Sequence, residues 1–248
     1  TINSVADELK EYKYINSGWY FVLLAKLLNL DDTLKSGYYD INPDMSLNKL
    51  LVNFSNSKVA TRKITLIEGL TLQKYYHQLS TNDSLRSVND FDKTMKLVGI
   101  SKPYEGKFWP DTYVVNYGDT VSSVLTRANK IMQEKLENVW RNRQKELALK
   151  SIDEMLILAS LVEKETANHK EKSQIAGVFL RRLKKGMRLQ TDASIVYALG
   201  NKYTGKLTKK DLKIDSPYNT YKNHGLPPGA IGSVGAESLY AASHPDNS

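Results

Sequence analysis

The stretch that decides the fold runs from Ser151 to Asp192 and reads SIDEMLILASLVEKETANHKEKSQIAGVFLRRLKKGMRLQTD. Ser151 is followed three residues later by Glu154, a capping-box pattern that predicts the start of a helix. The apolar residues that come next cover most of the helical circumference, and they are Ile152, Met155, Leu156, Leu158, Ala159, Leu161 and Val162. We therefore expect a largely buried helix.

A polar run, EKET at 163–166, interrupts this apolar pattern near the end of the predicted helix. Burial raises the pKa of a carboxyl group, which is a property that a general acid needs. At about 100° per residue, Glu163 and Glu165 lie equally close to apolar neighbours, so the periodicity does not choose between them. A structural interpretation also stays open, in which one or both carboxylates pair with Lys164, His169 or Lys170.

Three longer segments carry a resemblance to a known family. They are LASLVEKETA at 158–167, VFLRRLKKGMRLQTDASIVYALG at 178–200 and YNTYKNHGLPPGAIGSVGAESLYAASHP at 218–245. In order and spacing they resemble the MltG family of endolytic murein transglycosylases, the YceG-like proteins, and the likeness covers nearly the whole chain. In that family the second glutamate of the E-K-E-T motif is catalytic, so the resemblance assigns this role to Glu165.

The resemblance also implies a reaction, cleavage of the β-1,4 bond between MurNAc and GlcNAc in nascent glycan strands, which terminates their elongation. Lytic transglycosylases use one glutamate to protonate the glycosidic oxygen and then to deprotonate the muramoyl C6 hydroxyl, giving 1,6-anhydroMurNAc ends. Because the attack is intramolecular, the second carboxylate of an ordinary glycosidase becomes dispensable. We expect Glu165 to begin protonated, in a site among Leu158, Leu161 and Val162.

A polar turn follows the second helix of the stretch and is a candidate saccharide contact. Gln190, Thr191 and Asp192 carry side chains that can hydrogen-bond sugar hydroxyl or acetamido groups. Thr191 or Asp192 could equally cap the helix predicted over 193–199, or serve both purposes.

The segment SPYNTYKNHGLPPGAIGSVG at 216–235 predicts a loop held by its prolines and glycines. Such a loop presents polar groups from a fixed backbone. We expect Asn219, Thr220 and Tyr221 to orient the substrate.

The second unusual stretch is YEGKFWPDTYVV at 104–115, where aromatic residues cluster around a proline. Trp109 could stack on the apolar face of a sugar, or it could simply belong to the core. The WPDTY segment matches the resembled family, which favours a place in the substrate site for Trp109.

Composition narrows the function classes. The chain has 35 Lys and Arg against 27 Asp and Glu, a formal net charge of +8, which suits an anionic polymer such as peptide-bearing glycan. A nucleic-acid partner is not predicted, because no basic module with interleaved stacking aromatics is found. With no cysteine and four scattered histidines, neither a disulfide nor a metal site is expected, and no cofactor is predicted.

The sequence has no apolar run long enough to cross a bilayer. Because the resembled family carries an N-terminal membrane anchor, we expect a single-pass protein of the cytoplasmic membrane whose catalytic domain is extracytoplasmic. The family also continues for several tens of residues beyond the equivalent of Ser248, so we expect a C-terminal segment to be missing here. It further suggests cell-wall synthases as partners.

The predicted fold class is α+β, with a small LysM-like module at 1–57 and a helix-rich mixed α/β catalytic domain at 58–248. The module is predicted from two short helices followed by a strand at Tyr38–Ile41. LysM-like modules bind N-acetylated glycans, although a plain packing role for this module is equally open.

Two other functions stay open on the residues alone. A hydrolytic muramidase would pair Glu165 with Asp192 or Asp111 and would leave reducing ends. A non-catalytic peptidoglycan-binding scaffold would leave the glycan strands at their original length.

Overall fold

The computed structural model describes residues 1–35, 37–42, 44–56 and 59–246. The fold is mixed α/β, rich in helices and poor in strands, which confirms the predicted class at this level. The chain divides into two compact units, one made of Thr1–Ile64, Asp83–Arg86 and Val114–Asp119 and the other of Thr65–Asn82, Ser87–Tyr113 and Thr120–Ser248. The predicted boundary between residues 57 and 58 falls outside the described residues and stays a prediction.

The N-terminal unit contains three helices, α1 (Ile2–Glu11), α2 (Gly18–Leu27) and α3 (Leu47–Ser55). Each helix begins after a hydroxyl side chain that accepts a backbone N–H three residues further on, and these caps are Thr1, Ser17 and Ser46. The core of the unit consists of Ala6, Leu9, Ile15, Phe21, Ala25, Leu50, Leu51 and Phe54.

The strand predicted at Tyr38–Ile41 is wrong, because the described residues 37–42 contain no strand. The Tyr38 carbonyl does accept a backbone N–H from Ala60 at 2.7 Å, but the Tyr39 hydroxyl donates to the Lys35 carbonyl at 2.7 Å and its ring packs on Phe54. Side-chain packing against α3 thus takes the place of strand pairing here, and the LysM-like arrangement is not confirmed.

In the part of the chain that the structure describes, four short strands form two separate two-stranded sheets. Strand β1 (Thr61–Thr65) pairs with β3 (Thr112–Asn116), and β2 (Leu85–Arg86) pairs with β4 (Asp119–Thr120). Directly after β1, the Leu66 N–H donates to the Asp111 carbonyl at 2.9 Å, and this bond fixes the segment that follows the strand.

The C-terminal unit is organised around one buried helix. Its helices are α4 (Leu72–Ser80), α5 (Phe91–Val98), α6 (Val121–Arg141), α7 (Ile152–Glu165), α8 (Lys172–Lys184), α9 (Asp192–Leu199) and α10 (Ala236–Ser243). Helix α7 contacts α6, α8, α9 and α10 and is the helix predicted from Ser151, whose side chain accepts the Glu154 N–H at 3.2 Å. Its fully buried residues include Met155, Leu158 and Leu161. Within the described residues, no helix is both long and apolar enough to cross a membrane.

Candidate active site

Glu165 is the last residue of α7, and its carboxylate is held by one hydroxyl group. The Thr191 hydroxyl donates to Glu165 Oε2 at 2.7 Å. The predicted apolar surroundings are wrong, because Glu165 is exposed although Leu158, Leu161 and Val162 are fully buried. The helix ends at this residue, so no further turn covers the carboxylate, and it stays open to a ligand from solution.

Glu163 has the opposite environment, only two residues earlier. Its Oε1 forms an ion pair with Lys172 Nζ at 3.1 Å, and both side chains are almost completely buried, at 6% and 2% exposure. Its Oε2 accepts the Gly235 backbone N–H at 3.1 Å. The partner of this carboxylate is therefore Lys172 on α8 and not Lys164, whose Nζ donates to the Gly69 carbonyl at 3.1 Å.

A cleft of about 410 Å³ opens beside these side chains. It is lined by Glu68, Gly69, Leu70, Glu163, Lys164, Glu165, Thr166, Ala167, His169 and Lys172. Glu68 reaches the same place as Gly235, because a Cβ added at Gly235 would lie 1.8 Å from Glu68 Oε2 and 3.5 Å from Glu163 Oε2. Three carboxylates and two lysines therefore meet around this cleft, which makes it a strongly polar site.

Sequence reasoning missed Glu68 and Lys172. Glu68 stands directly before Gly69, a glycine with φ of +75°, so an acidic residue beside a turn-forming glycine was the available signal. Lys172 is fully buried on a helix of otherwise ordinary amphipathic pattern, and nothing in the local sequence distinguishes it from the exposed lysines.

The structure brings the polar turn and the loop together behind Glu165. The Thr220 hydroxyl accepts the Thr191 N–H at 3.0 Å and lies 2.8 Å from the Ser194 hydroxyl, while the Thr220 carbonyl accepts the Gln190 N–H at 3.1 Å. Thr191 occupies the N-cap position of α9 without a side-chain cap bond, because its hydroxyl is directed to Glu165. Thr191 thus stands at the N-cap position without capping the helix through its side chain, and its predicted contact with a saccharide stays a prediction.

Gln190 has an unusual backbone conformation for a residue with a side chain. Its φ is +52°, in the left-handed region that non-glycine residues seldom adopt. The bond to Thr220 holds its N–H, and the Arg182 guanidinium donates to the preceding carbonyl of Leu189. The strained turn leaves Gln190 exposed beside Thr191, where a polar side chain can meet a ligand.

Tyr221 and Asp192 form a pair near Glu165 that we call the rim, although neither residue is among those that line the cleft. The Tyr221 hydroxyl donates to Asp192 Oδ1 at 2.7 Å. This hydrogen bond, followed by burial and the negative charges of Asp192 and Glu165, raises the pKa of Tyr221 to about 12. Tyr221 is therefore a neutral hydroxyl near Glu165 at any physiological pH.

Asn219 lies behind this rim, not on it. It is fully buried, and its amide donates to the carbonyls of Leu212 at 3.1 Å and Ile214 at 2.7 Å while its oxygen accepts the Tyr221 N–H at 2.9 Å. Asn219 thus shapes the loop that carries Tyr221, and its predicted direct contact with substrate stays a prediction.

Trp109 belongs to the core of the C-terminal unit. It is 8% exposed, it packs in the cluster that contains Met132 and Leu136 of α6, and its backbone N–H donates to the Ala128 carbonyl at 3.0 Å. The described contacts do not bring Trp109 to Glu165, and the core alternative accounts for its surroundings.

A sequence model of the YceG-like family matches residues 1–248 of this chain. The chain belongs to the YceG-like family. This YceG-like chain is 31% identical to an endolytic murein transglycosylase of Bacillus subtilis, over 99% of its own length and 73% of that protein. It is 28% identical to an endolytic murein transglycosylase of Streptococcus pneumoniae, where it spans 49% of the longer protein.

The fold has a counterpart among solved structures. A crystal structure of a YceG-like protein from Listeria monocytogenes superposes with a TM-score of 0.65 at 32% sequence identity, covering all of this chain and 88% of that one. The family resemblance carried by the three sequence motifs is therefore confirmed.

Proposed function

We propose that this chain is an endolytic lytic transglycosylase that cuts the glycan strands of peptidoglycan, with Glu165 as its catalytic residue. The observation that carries the proposal is the Glu165 carboxylate, which is open to solvent, lines a cleft and is oriented by the Thr191 hydroxyl. The names of the two relatives support the reaction, and the E-K-E-T motif supports the residue.

In the proposed reaction Glu165 acts twice. As a neutral acid it gives its proton to the oxygen that joins MurNAc to the next GlcNAc, and the bond from that oxygen to C1 of MurNAc breaks. As a carboxylate it then takes the proton of the MurNAc C6 hydroxyl, whose oxygen bonds to the same C1 and closes the 1,6-anhydro ring. The proton balance closes on one carboxyl group, and no water is consumed.

The surroundings of Glu165 support this double use. A bound glycan would displace water from the open carboxylate, and loss of hydration favours the neutral acid that begins the reaction. The Thr191 hydroxyl can donate to the carboxylate form that follows. Tyr221, a neutral hydroxyl group near Glu165, and the exposed Gln190 are positioned to orient the sugar.

The test is the chemistry of the new chain ends. Uncrosslinked glycan strands are digested in water enriched in oxygen-18, and the products of the wild-type chain and of Glu165→Gln are compared by mass spectrometry. The proposal expects anhydro ends without oxygen-18 from the wild type and none from the variant. Reducing ends that carry oxygen-18 would establish a muramidase instead, and strands of unchanged length with retained binding would establish a scaffold.

We further propose that the catalytic unit acts outside the cytoplasmic membrane, tethered by an N-terminal anchor and near cell-wall synthases. The net charge of +8 is compatible with an anionic wall polymer. Protease accessibility of the full-length protein in spheroplasts tests the side of the membrane, and in-cell crosslinking tests the synthases. A protease-resistant catalytic unit would contradict the proposed location.

We also propose that the N-terminal unit contributes to glycan binding, as a LysM-like module would. The support is its exposed aromatic side chains, of which Trp19 is 71% and Tyr20 is 53% exposed on α2. Cosedimentation of Glu165→Gln with peptidoglycan, with and without Trp19→Ala, tests this contribution. Equal retention of both proteins would remove the support.

A further inference from the structure

A second cleft of about 510 Å³ lies in the C-terminal unit, and the residues that line it are not those around Glu165. We call it the Glu105 cleft, and its lining includes Glu105, Tyr104, Tyr197, Tyr218, Phe91 and Pro228. Its volume is in the range of small-ligand sites, and its walls combine aromatic rings with one carboxyl group, as such sites commonly do.

The carboxyl group of Glu105 is held by hydrogen-bond donors and not by a basic side chain, among the described residues. Its Oε1 accepts the Leu72 backbone N–H at 2.8 Å, and the Gly106 N–H and the Tyr197 hydroxyl are further partners. Burial raises the pKa of Glu105 to about 7 in spite of these bonds. A carboxyl group in this state can both donate and accept hydrogen bonds near neutral pH.

Two pairs of aromatic rings line the cleft together with this carboxyl group. The Tyr197 and Tyr218 rings have centroids 4.9 Å apart at 53°, and the Phe91 and Tyr104 rings are 6.1 Å apart at 69°. All four side chains are only partly buried, so their rings border the cleft, while Tyr197 and Tyr218 also pack against the core of the C-terminal unit.

These features favour a sugar over other ligand classes. A pyranose has apolar C–H faces that fit tyrosine rings and a polar edge that fits a carboxyl group. Glu105 would repel an anionic ligand. Lys102, whose Nζ already lies 5.8 Å from the Tyr104 ring centroid, would repel a cationic ligand. A neutral, amphipathic ligand meets neither repulsion.

Helix α9 connects the two clefts. Thr191, at its N-cap, donates to Glu165, and Tyr197 stands on the same helix six residues later, about 9 Å further along at 1.5 Å per residue. A polymer that contacted both places would span about 9 Å along α9 and pass round part of the helix, because residues six apart point about 120° away from each other.

We propose that the Glu105 cleft is a second saccharide-binding site, in which an N-acetylated sugar ring packs against Tyr197 and Tyr218 and its polar groups bond to Glu105. That this sugar belongs to the strand cut at Glu165 rests on the proposed function, whereas the binding itself does not. The site would hold the strand at a distance from the cut and so favour long substrates.

The test is calorimetric titration of the Glu165→Gln chain with chitotetraose, a β-1,4-linked oligomer of N-acetylglucosamine that the variant is not expected to cut. Tyr197→Leu and Tyr218→Leu should each weaken binding about tenfold, because a stacking ring is lost. Tyr240→Leu is the matched control, since Tyr240 is exposed and stacks on His244 outside this cleft. Tyr218→Phe keeps the ring, guards against loss of folding and should bind like the parent.

Equal dissociation constants for the parent, the two cleft variants and the control would overturn the proposal, as would the absence of saturable binding by the parent. The outcomes also separate the two proposals. If wild type cleaves strands and Tyr218→Leu cleaves them with the same length preference, the proposed function stands and the second site is rejected. If binding depends on Tyr197 and Tyr218 but wild type cleaves no strands, the second site stands and the proposed function is rejected.

Discussion

Glu163 and Glu165 stand two residues apart at the end of one helix, yet they have opposite environments. Glu163 is almost completely buried, paired with Lys172 and bonded to the Gly235 N–H, whereas Glu165 is exposed and bonded to the Thr191 hydroxyl. Residues two apart on a helix point about 200° away from each other, so when one packs inward the other is free to face a cleft. The comparison shows how one motif can supply a buried, paired carboxylate and an exposed one, to which we assign the proposed catalytic role.

The buried pair also fixes the position of the end of α7. Taking two charges out of water is costly, and the cost is offset only when geometry is good and further hydrogen bonds complete the arrangement. Here the Gly235 N–H supplies such a bond, and a side chain at position 235 would collide with Glu68. Glu163 therefore fixes the end of α7 against α8 and the segment before α10, and this fixed end presents Glu165.

The largest effect is expected for Glu165→Gln. Loss of the general acid and base should lower the rate of strand cleavage by about 10²- to 10⁴-fold, because an amide can neither give nor take the proton. Steady-state digestion of uncrosslinked glycan measures this rate, and circular dichroism checks the fold. A variant that cuts at more than about a tenth of the wild-type rate would contradict the assignment.

Next in size is the loss of one partner of the buried pair. Lys172→Met leaves Glu163 buried and uncompensated, which should lower the free energy of unfolding by about 3–5 kcal/mol. The matched control is Arg141→Met, which breaks the exposed pair with Glu137 and should cost a few tenths of a kcal/mol at most. Urea denaturation measures both, and equal losses would show that the buried pair has no special role.

Glu105 extends the comparison to a buried carboxyl group that has no ion-pair partner among the residues that the structure describes. Its folded-state pKa of about 7 lies above its ordinary value of 4.5, so its contribution to stability is fully present below pH 4.5 and is lost as pH rises to about 7. Between pH 5 and pH 8, wild type should therefore lose roughly 2–3 kcal/mol that Glu105→Gln keeps. Urea denaturation of both proteins at each pH measures their free energies of unfolding. If the difference between the two proteins did not change with pH, this linkage would be refuted.

The smallest effect concerns the group that orients Glu165. Thr191→Val removes the hydroxyl and keeps the backbone bond to Thr220, so the fold should be unchanged while kcat falls roughly tenfold. Thr126→Val is the control, because its hydroxyl donates within its own helix, to the Ser122 carbonyl. Equal kcat values for the two variants would mean that Thr191 does not position the carboxylate.

Local sequence patterns predicted much of this fold. The start of α7 at Ser151 and the buried face of α7 depend on contacts within a few residues, and these predictions agree with the structure. The strand at Tyr38–Ile41 failed because its side chains pack on α3 and no partner strand forms there.

The contacts that decide the site lie between segments far apart in the sequence. The helical periodicity of α7 could not distinguish Glu163 from Glu165, because the difference between their environments comes from Lys172 on α8 and Gly235 before α10. Glu68 meets Gly235 across more than one hundred and sixty positions, which no local pattern records. Only the family resemblance selected Glu165, and the structure supplies the physical reason why the two glutamates differ.

The most direct test of this division of roles is a paired measurement on Glu163→Gln and Glu165→Gln, each assayed for strand cleavage and for its melting temperature in one buffer. We predict that Glu165→Gln loses cleavage and keeps the wild-type melting temperature. We predict that Glu163→Gln melts at a clearly lower temperature while its still-folded fraction cuts glycan. The opposite pattern, with an active Glu165→Gln and an inactive but stable Glu163→Gln, would contradict the account.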